Sequence, residues 1–191
     1  MGNFYSKRGA DILKAEACSA HVVAATLDDV PRIVAMINDE AVRSGAVLKV
    51  TADEVEEWVN GRRSFIAKNI YGGIVGHSAA KIWPESGWAE HRAVVVLPEY
   101  RGNGINAKLT QAIVQSLEEI RPGITILSLK NGASSGSGTV VAFGFKKIPV
   151  SEIPEEILSA KEKKEYDAYI FKTLARSRDS GFNVLPGGCD K

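Results

Sequence analysis

The chain has 191 residues, 45% hydrophobic and 25% charged, with a formal net charge of +1. That length and apolar fraction suit one soluble domain with a sizeable core, and the near-neutral balance does not point to nucleic acid as a partner, although it leaves a local basic patch open. Cys18 and Cys189 lie near opposite ends and frame no disulfide scaffold, and His21, His77 and His91 lack zinc-ligand spacing. No run has the pattern of a secretory leader or the length of a membrane span, so the expectation is a reduced, cytoplasmic protein with no metal and no membrane partner.

Residues 1–20 read as an N-terminal extension. Residues 22–25 are a short apolar run. Thr26 then has the chemistry of a helix N-cap, with Asp28 and Asp29 in the first turn and Val30, Ile33, Val34 and Ile37 at helical spacing. Pro31 sits late for a helix that starts at Thr26. Thr51 and Glu54 make a capping box, opening a helix whose apolar face is Val55, Trp58 and Val59. Strands are expected at residues 64–68, 74–83 and 88–97, separated by turns at Tyr71-Gly72-Gly73 and at residues 84–87. The nearly unbroken apolar stretch 93–97 predicts burial on both faces.

A helix follows over residues 104–120, with Ile105, Leu109, Ala112, Ile113, Ser116 and Leu117 on one stripe, ended by Pro122-Gly123. Then come a strand at 124–129, a Gly/Ser loop at 131–138, a short helix at 139–143 and a strand at 145–149. A helix at 154–166 and a last strand at 167–174 complete the pattern, leaving 175–191 as a polar, mobile tail. The order predicts one domain over residues 21–174: an α/β fold with a mixed sheet and helices on its faces.

The chemistry concentrates after the third strand, in Pro98-Glu99-Tyr100-Arg101-Gly102-Asn103-Gly104-Ile105-Asn106. A buried strand, a glycine turn and a long helix succeed one another. The N–H groups at a helix start lack intrahelical partners and carry partial positive charge, so the junction is a ready anion site. Gly102 and Gly104 let a phosphate approach the backbone, and Arg101 adds a full charge, which together predict a pyrophosphate cradle. Gly102 to Ala107 also approximates a dinucleotide fingerprint with Glu118 as the ribose acid, but Glu118 falls on the same helix instead of a second strand. The plainest alternative is an ordinary glycine turn.

The segment from Pro98 to Ile105 resembles the acetyl-CoA motif of the GNAT superfamily of N-acetyltransferases, whose core is Gln/Arg-x-x-Gly-x-Gly/Ala. Arg101 and Gly104 match, and Asn106 stands where Gly or Ala is usual. The likeness covers residues 22–174. It is nearest to bacterial amino-acid N-acetyltransferases of the N-acetylglutamate-synthase type, through Gly144-Phe145 followed by Ile153-Pro154-Glu155.

The resemblance implies acetyl-CoA as co-substrate and an amine acceptor, a small molecule such as an amino acid. It implies a mostly antiparallel sheet splayed at the cofactor. Val94, Val95 and Val96 would pair with pantetheine, with Val95 or Val96 N–H facing the thioester oxygen. Arg101, Gly102, Asn103, Gly104, Ile105 and Asn106 would cradle the phosphates, and Asn131 would hydrogen-bond the pantetheine. Glu90 would be the base, unless it is a surface carboxylate paired with Arg92 or Lys81. In a regular strand His91 points to the opposite face, and His77 reads as a packed histidine.

The family's proton-donating tyrosine is replaced by Val140, leaving Ser137, Thr139, Tyr166 and Tyr169 as substitutes. Arg62, Arg63 and Lys49 are candidates to hold an acceptor carboxylate near residues 43–51. A protein lysine or N-terminal amine as acceptor, a non-catalytic acyl-CoA-binding protein, and chain pairing into a homodimer through the last strand are the alternatives left open.

Overall fold

In the computed structural model, which describes residues 20–130, 137–159 and 166–173, the apolar run after Ala20 is a strand. β1 (His21–Ala24) pairs antiparallel with β2 (Ser64–Lys68), Val22 opposite Ala67. Four residues are too few to display a period, so the expected element order omitted it. Thr26 then turns the chain. Its N–H and hydroxyl donate to the Asp29 carboxylate at 3.0 and 2.9 Å. Burial pushes the Asp29 carboxyl up, but the Thr26 bonds and the Lys68 ammonium at 3.3 Å outweigh it and hold it below the usual range.

A single 3₁₀ turn, Leu27–Asp29, precedes α1 (Val30–Ser44), so Pro31 falls in the first α-helical turn, where its missing N–H costs nothing. The capping box is present as expected: Glu54 N–H donates to Thr51 Oγ1 and Thr51 N–H to the Glu54 carboxylate, starting α2 (Ala52–Asn60). Val55 and Trp58 are buried and Val59 half-buried.

The sheet has seven strands among the described residues, in the order β1-β2-β3-β4-β5-β7-β6. The added strands are β3 (Ile74–Trp83), β4 (Trp88–Val96), β5 (Thr125–Lys130), β6 (Lys146–Ile148) and β7 (Asp167–Lys172). Every neighbouring pair is antiparallel except β4–β5. Parallel neighbours need a crossover, and α3 (Ile105–Ile120) supplies it. Two short helices, α4 (Ser137–Ala142) and α5 (Glu155–Ser159), flank β6. The expected helix over 154–166 is thus helical only at Glu155–Ser159 among described residues, and Tyr166 lies outside it, one residue ahead of β7. β7 runs between β5 and β6, so its edges are already used, and among the described residues the sheet's open edges are β1 and β6. Residues 1–19, the loop at 131–136 and residues 174–191, with the extension and tail expected there, lie outside the described residues.

The core forms on both faces of the sheet. On one, Ile33 and Ile37 of α1 and Val55 and Trp58 of α2 pack against Ile66, Ala79 and Val95. On the other, Ile105, Leu109, Ile113 and Leu117 of α3 cover Val75, Ala80, Ala89 and Ile126. Full burial of each large aliphatic contributes roughly 1.5–3 kcal/mol. The α3 stripe is wider than expected. Thr110 and Val114 are also buried, and Ala112 is only half-buried.

Candidate active site

The site starts from a fault in β4. Opposite β3, His77 faces Val95 while Ala79 faces Arg92, so β4 carries one extra residue between two pairs. Ala93 absorbs it at φ 52°, a left-handed conformation rare for a residue with a Cβ. A bulge of this kind bends its strand. On the other side, β4 pairs with β5 from Trp88↔Thr125 to His91↔Ser128 and no further. Beyond His91 the two parallel strands diverge, leaving one edge of residues 92–96 open to a cleft of about 570 Å³.

This corrects the expectation that residues 93–97 are buried on both faces. Only Val95 is buried, and Ala93, Val94, Val96 and Leu97 are half-buried. Alternation decides which backbone groups face the open edge. Leu97 N–H bonds the Val75 carbonyl, so Val96, opposite Gly76, directs its N–H and carbonyl away from β3. Between the two expected donors, geometry therefore favours Val96 over Val95. The Val96 carbonyl accepts from Arg101 Nε at 2.9 Å.

At the end of β4, a 3₁₀ turn at Pro98–Tyr100 leads to Gly102 and Gly104 at φ 77° and 75°, and Gly104 caps α3. A Cβ at either glycine would meet nothing within 4 Å, so both are required for backbone conformation and leave open space above the turn. Asn103 donates to the carbonyls of Tyr100 and Arg101 at 3.3 and 2.9 Å, closing the turn. Asn69 donates to the Tyr100 hydroxyl at 3.2 Å and tethers the turn to the β2–β3 hairpin. The first helical bond runs from Lys108 N–H to the Gly104 carbonyl, which leaves the N–H groups ahead of it outside the ladder. Ile105 is buried in the core and Asn106 occupies a regular helical position, so its tolerance of unusual angles is not used. The Asn106 Oδ1 is buried without a hydrogen-bond partner among the described residues, and the residue lines the cleft.

Arg101 is engaged elsewhere than over the turn. Its Nη2 is 3.1 Å from Glu40 Oε1 on α1, and the same carboxylate holds Arg43 and accepts from Ser44 Oγ at 2.7 Å. Burial raises the Glu40 carboxyl, but its bonds to Arg43 and Ser44 and the Arg101 charge hold it below the usual range. Sequence reasoning missed Glu40, which reads as an ordinary surface acid of a helix. Its partner is 61 residues away, and nothing local signals the pair.

Glu90 is 4% exposed and lines the cleft, so it is no surface carboxylate. It lies opposite Lys81, while Arg92 lies opposite Ala79 of the α1–α2 core, which places both residues on the face covered by α1 and α2. His91 points the other way, as expected, beneath α3 with Ala80. Its Nε2 is 2.7 Å from Ser78 Oγ, and burial, with the nearby Lys130 charge and His77, pushes its pKa down to about 3. His77 is packed, not catalytic in placement. Nδ1 donates to the Ala93 carbonyl at 2.9 Å, Nε2 is 3.0 Å from Ser64 Oγ, and the ring stacks on Trp58. Burial lowers its pKa to about 4 against the opposing carbonyl bond.

Of the substitutes for the missing acid, Thr139 and Tyr166 line the cleft, Tyr169 is buried in the core with Val140, and Ser137's side chain and Asn131 lie outside the described residues. Lys130, at the end of β5, also lines the cleft, and burial lowers its pKa. Arg62, Arg63 and Lys49 do not line it. Arg63 is bound to Glu57 and the Ala80 carbonyl. The cations that do are Arg43, Arg92, Arg101 and Lys130. Among the described residues no group of acids, histidines or cysteines could hold a metal ion, and no helix is long and apolar enough to cross a membrane.

The sequence of residues 16–135, which includes the splayed strand and the glycine turn, matches the acetyltransferase (GNAT) family. The chain belongs to the GNAT acetyltransferase family. No curated protein matches it in sequence. Solved structures show the same fold at low identity. N-acetylglutamate synthase from Neisseria gonorrhoeae, complexed with coenzyme A and N-acetyl-glutamate, is 18% identical with TM-score 0.67 over 81% of this chain. The acetyltransferase spans only 35% of that longer protein. A Mycobacterium tuberculosis protein in complex with CoA and NLQ is 19% identical, TM-score 0.66, over 81% of this chain and 99% of its own. A phosphinothricin acetyltransferase from Sinorhizobium meliloti in complex with AcCoA is 15% identical, TM-score 0.65, over 89% and 97%.

The cleft fits acetyl-CoA on its own features. An extended pantetheine amide chain needs an unpaired strand edge, and residues 92–96 offer one. A pyrophosphate needs exposed backbone at a helix start, and the open space above Gly102 and Gly104 provides it.

Proposed function

We propose that this acetyltransferase moves the acetyl group of acetyl-CoA to the amine of a small acceptor, an amino acid in the first instance, in the cytoplasm. The observation that carries the reading is the continuity of the open β4 edge with the glycine turn in a single cleft. Acetyl-CoA supplies an acyl group activated as a thioester. Val96 N–H, facing the open edge, donates to the thioester oxygen as negative charge develops there. Asn103 and the two glycines hold the turn in shape for the phosphates, and the N–H groups of Ile105 and Asn106 receive them. Arg101 acts by locking the turn to Val96 and Glu40, with its charge shared between that pair and the phosphates.

Glu90 takes the proton from the acceptor ammonium, directly or through water, which frees the nitrogen lone pair for attack. With Val140 in the core, proton return to the departing thiolate falls to a cleft-lining group. Lys130 lines the cleft, and its burial eases loss of the proton.

Two features support a small acidic acceptor. The cleft is lined by four cations against the acids Glu40 and Glu90, a balance that suits a carboxylate better than a cationic protein tail. The Neisseria structure carries N-acetyl-glutamate. Isothermal titration with acetyl-CoA, CoA and NAD tests the cradle. Both CoA species should bind and NAD should not. Absence of CoA binding would remove the acetyltransferase chemistry. Faster turnover of lysine-containing peptides than of free amino acids would shift the acceptor to protein.

A further inference from the structure

The four cations of the cleft are not equivalent. Arg43 and Arg101 divide the single charge of Glu40 between them and are held by it. Lys130 belongs to the α3 side of the sheet, two residues along β5 from Ser128, the partner of His91. Arg92 is different. Its guanidinium lies over the Trp58 ring at 5.1 Å, and no hydrogen bond or ion pair joins it to another described residue. It shares a face of β4 with Glu90, two residues away, so their attachment points are about 7 Å apart.

The surroundings fix where Arg92 points. Trp58 is 1% exposed and clamped between His77 and the α1–α2 core, so the ring is a rigid seat. The α1–α2 link over the cleft is pinned, since Asn38 donates to the Val50 carbonyl at 3.0 Å and accepts from Val50 N–H at 2.8 Å. A guanidinium held over an aromatic face keeps its N–H groups available for a bidentate acceptor.

We infer that Arg92, seated on Trp58 and two residues from Glu90, is the carboxylate anchor of the acceptor site and selects free α-amino acids over amines without a carboxylate. The inference rests on the acetyltransferase reading above. An α-amino acid spans the two groups, with its ammonium at Glu90 and its carboxylate on Arg92. The carboxylate contact is remote from the reacting nitrogen and is made equally in the ground state and the transition state, so discrimination should appear in KM.

The test uses the full chain, acetyl-CoA, the standard L-amino acids and their carboxamides, with CoA release as readout. For the best acid, the carboxamide should have a KM about 100-fold higher, as for loss of a charge-assisted pair. Arg92→Met should raise KM for the acid by a similar factor, leave KM for the carboxamide nearly unchanged, and hardly move kcat. Arg92→Lys should recover part of the loss. Thermal melting and acetyl-CoA titration of each variant separate a folding or cofactor defect from an acceptor defect. Equal turnover of acids and carboxamides, or equal KM increases for both in Arg92→Met, would overturn the anchor. So would a carboxylate preference that disappears in Lys130→Met and persists in Arg92→Met, or a protein that binds acetyl-CoA and acetylates none of the acids. If the wild-type chain fails to bind acetyl-CoA, the family chemistry is what has failed, and the anchor falls with it.

Discussion

The two halves of β4 are exposed in the opposite order to their apolar content. Residues 88–91 are paired on both sides, and within them Ala89, Glu90 and His91 are buried although two of the three are titratable. Residues 92–96 include Ala93 and three valines, yet only Val95 is buried. Register, not hydropathy, sets this pattern. One extra residue at Ala93 and the end of β5 pairing at Ser128 convert an apolar strand into the wall of a ligand cleft. In the function proposed above, the paired half is scaffold on its α3 face and chemistry on its α1–α2 face, and the open half is a backbone template.

The strongest way to break that division is Glu90→Gln. A carboxylate that serves only the scaffold would leave turnover intact. We expect kcat to fall roughly 10²- to 10⁴-fold, the usual worth of a general base, while titration shows acetyl-CoA affinity unchanged. Undiminished kcat in a folded variant would assign Glu90 to structure.

The paired half makes a second demand, on pH. His77 and His91 are buried neutral with pKa about 4 and about 3 against 6.5 for the free side chain. Between those values the unfolded chain binds more protons than the folded one, so stability is full above pH 6.5 and is lost as pH falls below it. From pH 7 to pH 5 the pair should cost about 4 kcal/mol in urea unfolding. A flat profile over that range would mean that the histidines are protonated in the folded protein and the β3–β4 seam is wetter than its burial indicates.

The comparison also explains what was readable beforehand. The Thr51–Glu54 box, the α3 stripe and the glycine turn were legible because each is a local pattern in which neighbouring residues specify the conformation. What stayed hidden depends on register or on distant pairs. The bulge at Ala93 has no glycine to announce it, β1 is too short to show a period, and Glu40 meets Arg101 only through the packing of α1 on the cleft. The cations expected at the acceptor, Arg62, Arg63 and Lys49, do not line the cleft for a like reason: Arg62 and Arg63 sit near Trp58 in sequence, whereas Arg92 reaches its ring from across the sheet.

A smaller effect sharpens the cofactor side. Gly104→Ala adds a Cβ that meets nothing, so its penalty is the left-handed backbone alone, roughly 1–2 kcal/mol. If that conformation is what presents the α3 N–H groups, the loss should appear as about tenfold weaker acetyl-CoA binding, with acceptor KM unmoved. Unaltered binding would detach the turn from the phosphates.

The smallest effect belongs to the acceptor side. Thr51→Ala removes the hydroxyl that accepts from Glu54 N–H and weakens the reciprocal bond from Thr51 N–H to the Glu54 carboxylate. Loss of such a cap costs about 1 kcal/mol. Thr51 is also the residue at which the α1–α2 link, tied down by Val50 on Asn38, enters the helix that carries Trp58. A frayed α2 start should therefore lower the melting temperature slightly and raise acceptor KM, leaving acetyl-CoA affinity untouched, because the cradle is built on α3 across the sheet. Should cofactor binding weaken by the same factor as the acceptor's, the two sides of β4 would be one coupled unit, and the division between template and scaffold would not describe how the cleft works.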